Sequence, residues 1–144
     1  MSRDDIEDLV HRYSDAVVHR DAPQWASTWA PDGVWDLGGG RLIEGREAIV
    51  EQWRESMARY PAVVQTVLNG AVELHEGSGS GSGRWYVQEV ARRIDGEAVV
   101  MVAHYDDTYG RVDGNWRFAS RKLSIHYRGP ADLSGTFQST VGDS

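Results

Sequence analysis

Apolar residues near the start of the chain recur at the spacing of an amphipathic helix. Steps of three and four residues place these side chains on one helical face: Ile6, Leu9, Val10, Tyr13 and Val17. The pattern predicts a first helix that ends near His19 or Arg20. Ser2 and Asp5 lie three residues apart and predict a capping box at the helix start.

Two shorter helices are predicted after the first. The second helix spans residues 23–30 and carries Trp25 and Trp29 four residues apart on one face. The third spans residues 47–60, again with an apolar stripe, and ends before Pro61, which cannot continue a helix.

Alternating apolar and polar positions predict strands in the rest of the chain. The predicted strands are residues 34–37, 42–43, 63–74, 84–94, 98–109 and 116–127. Residues 31–33 read as a turn, and the Gly/Ser run 77–83 as a flexible hairpin loop. Three hairpins in series after Pro61 predict an antiparallel meander.

Helices followed by long antiparallel strands predict an α+β fold. We expect a curved antiparallel sheet whose three N-terminal helices enclose a cone-shaped cavity, in the manner of a cystatin-like α+β barrel. Residues 1–128 form a single domain in this prediction, and residues 129–144 form a C-terminal tail that is irregular or packed on a partner subunit. A cavity of this shape suits a small apolar ligand.

Composition excludes several classes of function. Fifteen basic and 22 acidic residues give a net charge of −7, which argues against nucleic-acid and anionic membrane partners. The absence of cysteine excludes disulfides, thiolate catalysis and cysteine-based zinc sites. The histidines and acids form no metal-binding motif, so we expect no metal. Without an apolar run of membrane-spanning length or a signal peptide, we expect a cytoplasmic protein.

Asp21 is the next position in the apolar stripe of the first helix. A carboxylate in line with that stripe points toward the interior, where it is costly unless it is paired or functional. The alternative is that Asp21 caps the second helix, because an early-turn proline, Pro23, follows it. The first interpretation makes Asp21 a candidate general base.

Glu89 is a second candidate acid. Strand alternation places Glu89 on one face with Trp85, Val87 and Ala91. An acid among apolar neighbours requires a raised pKa or a cationic partner, and we expect Arg121 on the last strand to be that partner. The pair is either structural or catalytic.

Two histidines fall on the last two predicted strands. His104 and His126 lie where these strands could pair, and either could face the cavity or the surface. Alternation also sends the adjacent acids Asp106 and Asp107 to opposite faces of the sheet, so they are not expected to act as a pair.

Several motifs resemble the SnoaL-like branch of the nuclear-transport-factor-two-like superfamily. They are Tyr13-Ser14-Asp15 with Asp21 and Trp25, Gly45-Arg46-Glu47-Ala48-Ile49, Gly83-Arg84-Trp85-Tyr86-Val87-Gln88-Glu89, Tyr105-Asp106-Asp107-Thr108-Tyr109, and Asp113-Gly114-Asn115-Trp116-Arg117-Phe118. The resemblance extends to about Arg128. It implies kinship with cofactor-free eliminating enzymes such as bile-acid 7-alpha-dehydratase, scytalone dehydratase and hexachlorocyclohexane dehydrochlorinase.

The resemblance also implies site residues. Asp21 and Glu89 match acids of these enzymes, but their catalytic histidine falls on Gln65, which cannot titrate. We therefore consider two hypotheses. The first is a cofactor-free enzyme that acts by proton transfer on a hydrophobic cyclic molecule, through dehydration or another elimination, isomerisation or cyclisation. The second is a non-catalytic module of the same fold that binds a small molecule or mediates assembly.

The enzyme hypothesis assigns Asp21 and His104 to catalysis. The predicted substrate-binding residues are Tyr13, Val17, Trp29, Trp35, Trp53, Gln65, Trp85, Glu89 and Tyr105. The expected partners are a hydrophobic small molecule and, from the resemblance, further copies of the chain in a homodimer or homotrimer. No cofactor is expected.

Overall fold

The computed structural model describes residues 3–137 and contains three α-helices and six strands. The helices are α1 (Arg3–His19), α2 (Ala22–Ser27) and α3 (Arg46–Met57). The strands are β1 (Trp29–Asp36), β2 (Leu42–Glu44), β3 (Ala62–His75), β4 (Ser80–Arg92), β5 (Ala98–Val112) and β6 (Asn115–Gly129). A single 3₁₀ turn, Glu76–Ser78, joins β3 to β4.

The six strands form one curved, unclosed sheet in the order β2-β1-β6-β5-β4-β3. The pairs from β3 to β6 are antiparallel, which confirms the predicted meander and the α+β class. The parallel pairing of β1 with β6 was not predicted. Register shifts interrupt the β3–β4 and β5–β6 ladders, and such bulges bend a sheet around its concave face.

Strand β1 begins earlier than the sequence predicts, because it includes the residues expected to form a turn. The segment around Pro31 lies within β1, where the β1–β6 register shifts between Trp29 and Val34. A bulge is one of the few places where a sheet accepts proline, which has no N–H to donate. The second helix accordingly ends at Ser27, not at residue 30.

The Gly/Ser run was predicted to be a flexible loop, and this is wrong for its second half. Strand β4 begins at Ser80 and pairs with β3 and β5 from that residue onward. A Cβ atom on Gly83 would lie 2.6 Å from the hydroxyl oxygen of Tyr109, and one on Gly81 would lie 2.6 Å from a methyl carbon of Leu74. The glycines therefore allow close packing within the sheet.

The hydrophobic core lies between the helices and the concave face of the sheet. The predicted apolar stripe of α1 is buried, and α1 packs against β3. Trp25 of α2 stacks on Trp53 of α3 with ring centroids 4.6 Å apart and planes 9° apart. Trp29 and Phe118 are fully buried beside them. This aromatic layer fixes α2 and α3 over the sheet.

The chain turns back after β6. The Tyr127 hydroxyl donates to the carbonyl of Pro130 over 2.8 Å and accepts from the amide of Gly135 over 2.9 Å, and Tyr127 forms a β-bridge with Phe137. The described part of the predicted tail thus packs on its own chain. Ser2 of the predicted capping box and residues 138–144 lie outside the described residues.

Candidate functional site

A cavity of about 260 Å³ lies between the helices and the concave face of the sheet. Its walls come from α1, β1, α3 and the four long strands, and they are mostly apolar or aromatic. An engineered apolar cavity of roughly 150 Å³ binds benzene. The cavity in this protein therefore has room for a substituted ring or a compact bicyclic molecule.

Glu89 and Gln65 form the polar centre of the cavity wall. They are opposite each other on β4 and β3, and both side chains line the cavity. The Gln65 amide donates to Glu89 Oε2 over 2.9 Å, while its own carbonyl oxygen accepts from the Ser14 hydroxyl over 2.7 Å. An ionised Glu89 can only accept hydrogen bonds, so the N–H end of the Gln65 amide faces it and the carbonyl end faces the Ser14 hydroxyl.

Burial changes the acidity of Glu89. Loss of solvent raises the pKa of the Glu89 carboxyl above its ordinary value, and the Gln65 hydrogen bond and the charge of Arg128 oppose that rise only in part. A carboxyl with a raised pKa in an apolar cavity has the properties of a general acid or base.

Two tyrosine hydroxyls lie together on the same wall. The hydroxyl oxygens of Tyr13 and Tyr105 are 3.5 Å apart, and both residues line the cavity. Burial raises the pKa of each phenol, so both remain protonated at neutral pH and can donate hydrogen bonds. They could therefore orient an oxygen atom of a ligand.

A buried ion pair packs against the rings of the two tyrosines. Arg121 donates from Nε to one Asp107 oxygen over 2.7 Å and from a terminal nitrogen to the other over 3.1 Å. Its guanidinium carbon lies 4.5 Å from the ring centroid of Tyr13 and 3.9 Å from that of Tyr105. Burial would lower the pKa of Arg121, but the Asp107 carboxylate outweighs it and raises that pKa.

The expected pairing of Glu89 with Arg121 is wrong. Arg121 is held by Asp107, and Tyr109 donates a further hydrogen bond to Asp107 over 3.0 Å. Asp107 is buried while Asp106 lies on the opposite face of β5, as alternation predicted. Glu89 is therefore left without a cation in contact with it among the described residues.

Asp21 does not reach the cavity, and the prediction that it points inward is wrong. Its carboxylate accepts from the amide of Gln24 over 3.1 Å, which makes it the N-cap of α2, and the residue is exposed. The reason is that α1 ends at His19, two residues before Asp21, so the helical stripe does not continue to that position. Arg20 adopts a φ of +55°, and the amide of Asp21 bonds to the carbonyl of Ala16, as in a Schellman motif.

His104 also lies outside the cavity. Its neighbours in sequence, Ala103 and Tyr105, are buried on the inner side, so His104 faces outward. There its ring contacts His126 over 2.7 Å between nitrogens, and Asp106 over 3.1 Å. A catalytic role for His104 inside the cavity is inconsistent with this position.

Most of the predicted substrate-binding residues do line the cavity. They are Tyr13, Val17, Trp35, Trp53, Gln65, Glu89 and Tyr105. Trp29 and Trp85 are instead buried in the core behind it, where the Trp85 indole donates to Tyr109 over 3.0 Å. The indole N–H of Trp35 finds no acceptor within residues 3–137, so it is a spare donor on a cavity-lining residue.

The sequence did not indicate Ser14, although it fixes Gln65. Position 14 falls within the first helix and belongs to the Tyr13-Ser14-Asp15 motif, but no role in the site was predicted for it. The predicted burial of Tyr13 was the available signal, because its neighbour shares part of the buried face. Across the described residues, no cluster of three histidine, cysteine or acidic side chains is arranged to hold a metal ion.

Comparison with known families agrees with this geometry. A profile for the SnoaL-like domain matches residues 1–122. The chain belongs to the SnoaL-like domain family. A search of curated protein sequences finds no match. Within residues 3–137, none of the helices has the length and apolar character needed to cross a membrane.

Solved structures with this SnoaL-like architecture include proteins named for different reactions. A hexachlorocyclohexane dehydrochlorinase of type 2 superposes with a TM-score of 0.82 at 22% identity, covering 98% of this chain and 95% of its own. A scytalone dehydratase-like protein from Novosphingobium aromaticivorans gives 0.83 at 16% identity, covering 96% and 93%. Another protein from that organism, whose name proposes an aromatic ring hydroxylase, gives 0.78 at 28% identity, covering 91% and 90%.

Proposed function

We propose that this SnoaL-like protein is a cofactor-free enzyme that moves a proton on a small hydrophobic ring compound, with Glu89 as the acid–base group. The observation that carries the proposal is a half-buried carboxyl with a raised pKa on the wall of a cavity lined mostly by apolar and aromatic side chains. The dehydrochlorinase and the dehydratase-like protein share this fold, and both are named for eliminations, which supports proton-transfer chemistry.

A single titratable carboxyl restricts the reaction. Gln65 occupies the position facing Glu89 and cannot exchange a proton, and the tyrosine phenols have raised pKa values. Glu89 is then the group that both removes and returns the proton. That arrangement suits an isomerisation, or an elimination in which the proton and the leaving group depart from the same face.

The neighbouring groups have distinct roles in this proposal. Ser14 and Gln65 hold the Glu89 carboxylate in one orientation. The hydroxyls of Tyr13 and Tyr105 donate to an oxygen on the substrate, where negative charge develops as the proton leaves carbon. Apolar walls exclude water and keep the carboxylate reactive.

Hydrogen–deuterium exchange tests the role of Glu89 without knowledge of the natural substrate. The probe is 2-tetralone, a bicyclic ketone with acidic C–H bonds, followed by proton NMR in D₂O. We expect the wild-type protein to accelerate exchange and Glu89→Gln to lose about 100-fold of that acceleration. Glu97→Gln, an exposed change between β4 and β5, is the matched control and should behave as wild type. Equal rates for Glu89→Gln and wild type would contradict the proposal.

The non-catalytic alternative rests on Gln65, because the resemblance places a histidine there in eliminating enzymes. In that case the cavity binds a small molecule and Glu89 contributes a hydrogen bond only. Binding of 2-tetralone with no acceleration of exchange would favour this alternative.

The outer face of the sheet supports our proposal of a homodimer or homotrimer. Val64, Leu68 and Val90 are exposed there, and a cluster of exposed apolar residues is typical of protein interfaces. Sedimentation velocity would test it, and a monomer at micromolar concentration would contradict it.

A further inference from the structure

The opening of the cavity is lined by arginines. Among the described residues that line the cavity, the exposed ones are Arg41, Arg59 and Arg128, and every other lining residue is buried or half-buried. The other polar residues of the lining are buried or half-buried, as Glu89 is, whereas these three guanidinium groups are exposed to solvent. The rim is therefore positively charged.

The three arginines come from separate parts of the chain. Arg41 lies in the turn between β1 and β2, Arg59 follows α3, and Arg128 is near the end of β6. Arg128 donates a hydrogen bond to the Tyr60 hydroxyl. The side chains of Arg41 and Arg59 make no hydrogen bond or ion pair with any residue between 3 and 137, so their guanidinium groups are available to a ligand.

This charge distribution is opposite to that of the whole molecule. The chain has a net charge of −7, yet the cavity lining contains three arginines and one carboxyl, Glu89. The charge of Arg128 already acts on Glu89, since it opposes the rise of the Glu89 pKa. A bound anion would offset the positive charge of the three arginines that line this cavity.

We propose that the ligand of this cavity carries an anionic group, such as a carboxylate or phosphate, that lies at the opening between Arg41, Arg59 and Arg128. Guanidinium groups bind such oxyanions through paired N–H donors. The hydrophobic ring of the same molecule then occupies the interior beside Glu89. The ligand class rests on the proposed function only in taking the same cavity as the ligand site, and it does not require Glu89 to be catalytic.

The anionic group also fixes the orientation of the ligand. Glu89 repels an anion whenever it is ionised, so the charged end is disfavoured in the interior and favoured at the rim. The ring enters first, and its carbon atoms meet Glu89 and the tyrosine hydroxyls. Each exposed arginine contributes little by itself, because solvent screens it, but three together give a measurable preference.

A matched pair of probes isolates the anionic group. 2-Naphthoate and 2-naphthamide share one ring system and differ in charge, and isothermal titration calorimetry gives a dissociation constant for each. We expect the wild-type protein to bind 2-naphthoate about tenfold more tightly at low ionic strength. The preference should shrink as salt is added, because the rim is exposed.

Two triple variants identify the residues responsible. R41Q/R59Q/R128Q should bind both probes equally, with the affinity for 2-naphthamide unchanged. R54Q/R92Q/K122Q removes the same charge from exposed residues that do not line the cavity, and it should keep the tenfold preference. Equal binding of the two probes by wild type, binding of neither, or a preference that survives in the rim variant would overturn the proposal.

The variant Glu89→Gln separates this inference from the proposed function. It should retain the preference for 2-naphthoate, because the rim is intact. A protein that prefers the anion but shows no Glu89-dependent exchange keeps the anionic ligand and loses the proposed catalysis. A protein that catalyses exchange without any preference for the anion gives the reverse result.

Discussion

The buried pair of Asp107 and Arg121 offers a strong test of how this fold tolerates charge. Both side chains are almost fully removed from solvent, with exposed fractions of 0% and 1%. Asp107→Asn removes the negative charge and leaves the volume nearly unchanged. The guanidinium group would then be buried without a counter-charge, and an N–H group of the new amide would face it as a second donor.

The expected cost follows from this geometry. Breaking one partner of a buried, hydrogen-bonded ion pair typically costs about 3–5 kcal/mol. Arg121 cannot easily leave, because its guanidinium carbon also lies 4.1 Å from the ring centroid of Phe118, in addition to the two tyrosine rings. With total stabilities of about 5–15 kcal/mol, Asp107→Asn should lose a large share of the folding free energy and lower the melting temperature by roughly 10–20 °C.

An ion pair on the neighbouring residue provides the control. Asp106 accepts from Arg84 at the same nitrogen–oxygen distance, 2.7 Å, but these side chains are 39% and 54% exposed. Asp106→Asn should therefore cost less than about 1 kcal/mol. Urea unfolding, followed by circular dichroism and tryptophan fluorescence, measures both variants under one set of conditions.

A double variant separates the charge from the packing. Asp107→Leu with Arg121→Met replaces the pair by apolar side chains, and such replacements of buried pairs are often neutral or stabilising. We expect it to recover most of the stability lost in Asp107→Asn. The reasoning is refuted if Asp107→Asn and Asp106→Asn unfold at the same urea concentration.

Two further predictions follow from shifted pKa values. Burial raises the pKa of Glu89, so the ionised form of this carboxyl destabilises the folded protein at neutral pH. Glu89→Gln should therefore stabilise the protein by about 1 kcal/mol at pH 7 but not at pH 4. A lower melting temperature for Glu89→Gln than for wild type at pH 7 would contradict this. Burial and the nearby His104 lower the pKa of His126 in the folded protein. Below pH 6.5, the ordinary histidine value, the unfolded chain therefore binds a proton at His126 more readily than the folded protein does, and the folding free energy decreases as the pH falls. Urea unfolding at pH 7 and pH 5 should show a smaller loss for His126→Gln than for wild type, and equal losses would exclude the effect.

Periodicity was sufficient to predict the helices and the meander. The α1 stripe and the alternation of β4 each place most of their apolar residues on one face, and burial of those faces determines the layers. The parallel contact of β1 with β6 depends on residues far apart in sequence. Local patterns contain no information on such a pairing. Pro31 and Gly33 are residue types typical of turns, which is why a turn was predicted where β1 is found.

The site could be predicted only in part, because the role of an acidic side chain depends on the groups that contact it in the folded protein. Asp21 and Glu89 both interrupt apolar patterns in the sequence. The left-handed conformation of Arg20 rotates Asp21 out of the α1 stripe, and nothing in a non-glycine residue indicates that conformation beforehand. Arg121 could pair with either Asp107 or Glu89 on the basis of alternation alone, since both face inward.

These partner choices leave Glu89 in a distinct electrostatic position. Asp107 is matched by a buried guanidinium group, and Asp21 is satisfied by a helix end in solvent. Burial disfavours the ionised form of Glu89, and the Gln65 amide and the charge of Arg128 offset this only in part, so its affinity for a proton is higher than that of an ordinary carboxyl.

The orientation of Gln65 then favours one protonation state for Glu89. The Ser14 hydroxyl donates to the Gln65 carbonyl oxygen, which leaves the amide N–H as the atom that faces Glu89. An N–H donor stabilises the ionised carboxylate and does not stabilise the form that carries a proton on the same oxygen. Burial thus makes Glu89 a stronger base, while the Gln65 hydrogen bond favours its ionised form, which can accept a proton. A histidine at position 65 could itself bind or release the proton, whereas glutamine confines the proton exchange to Glu89.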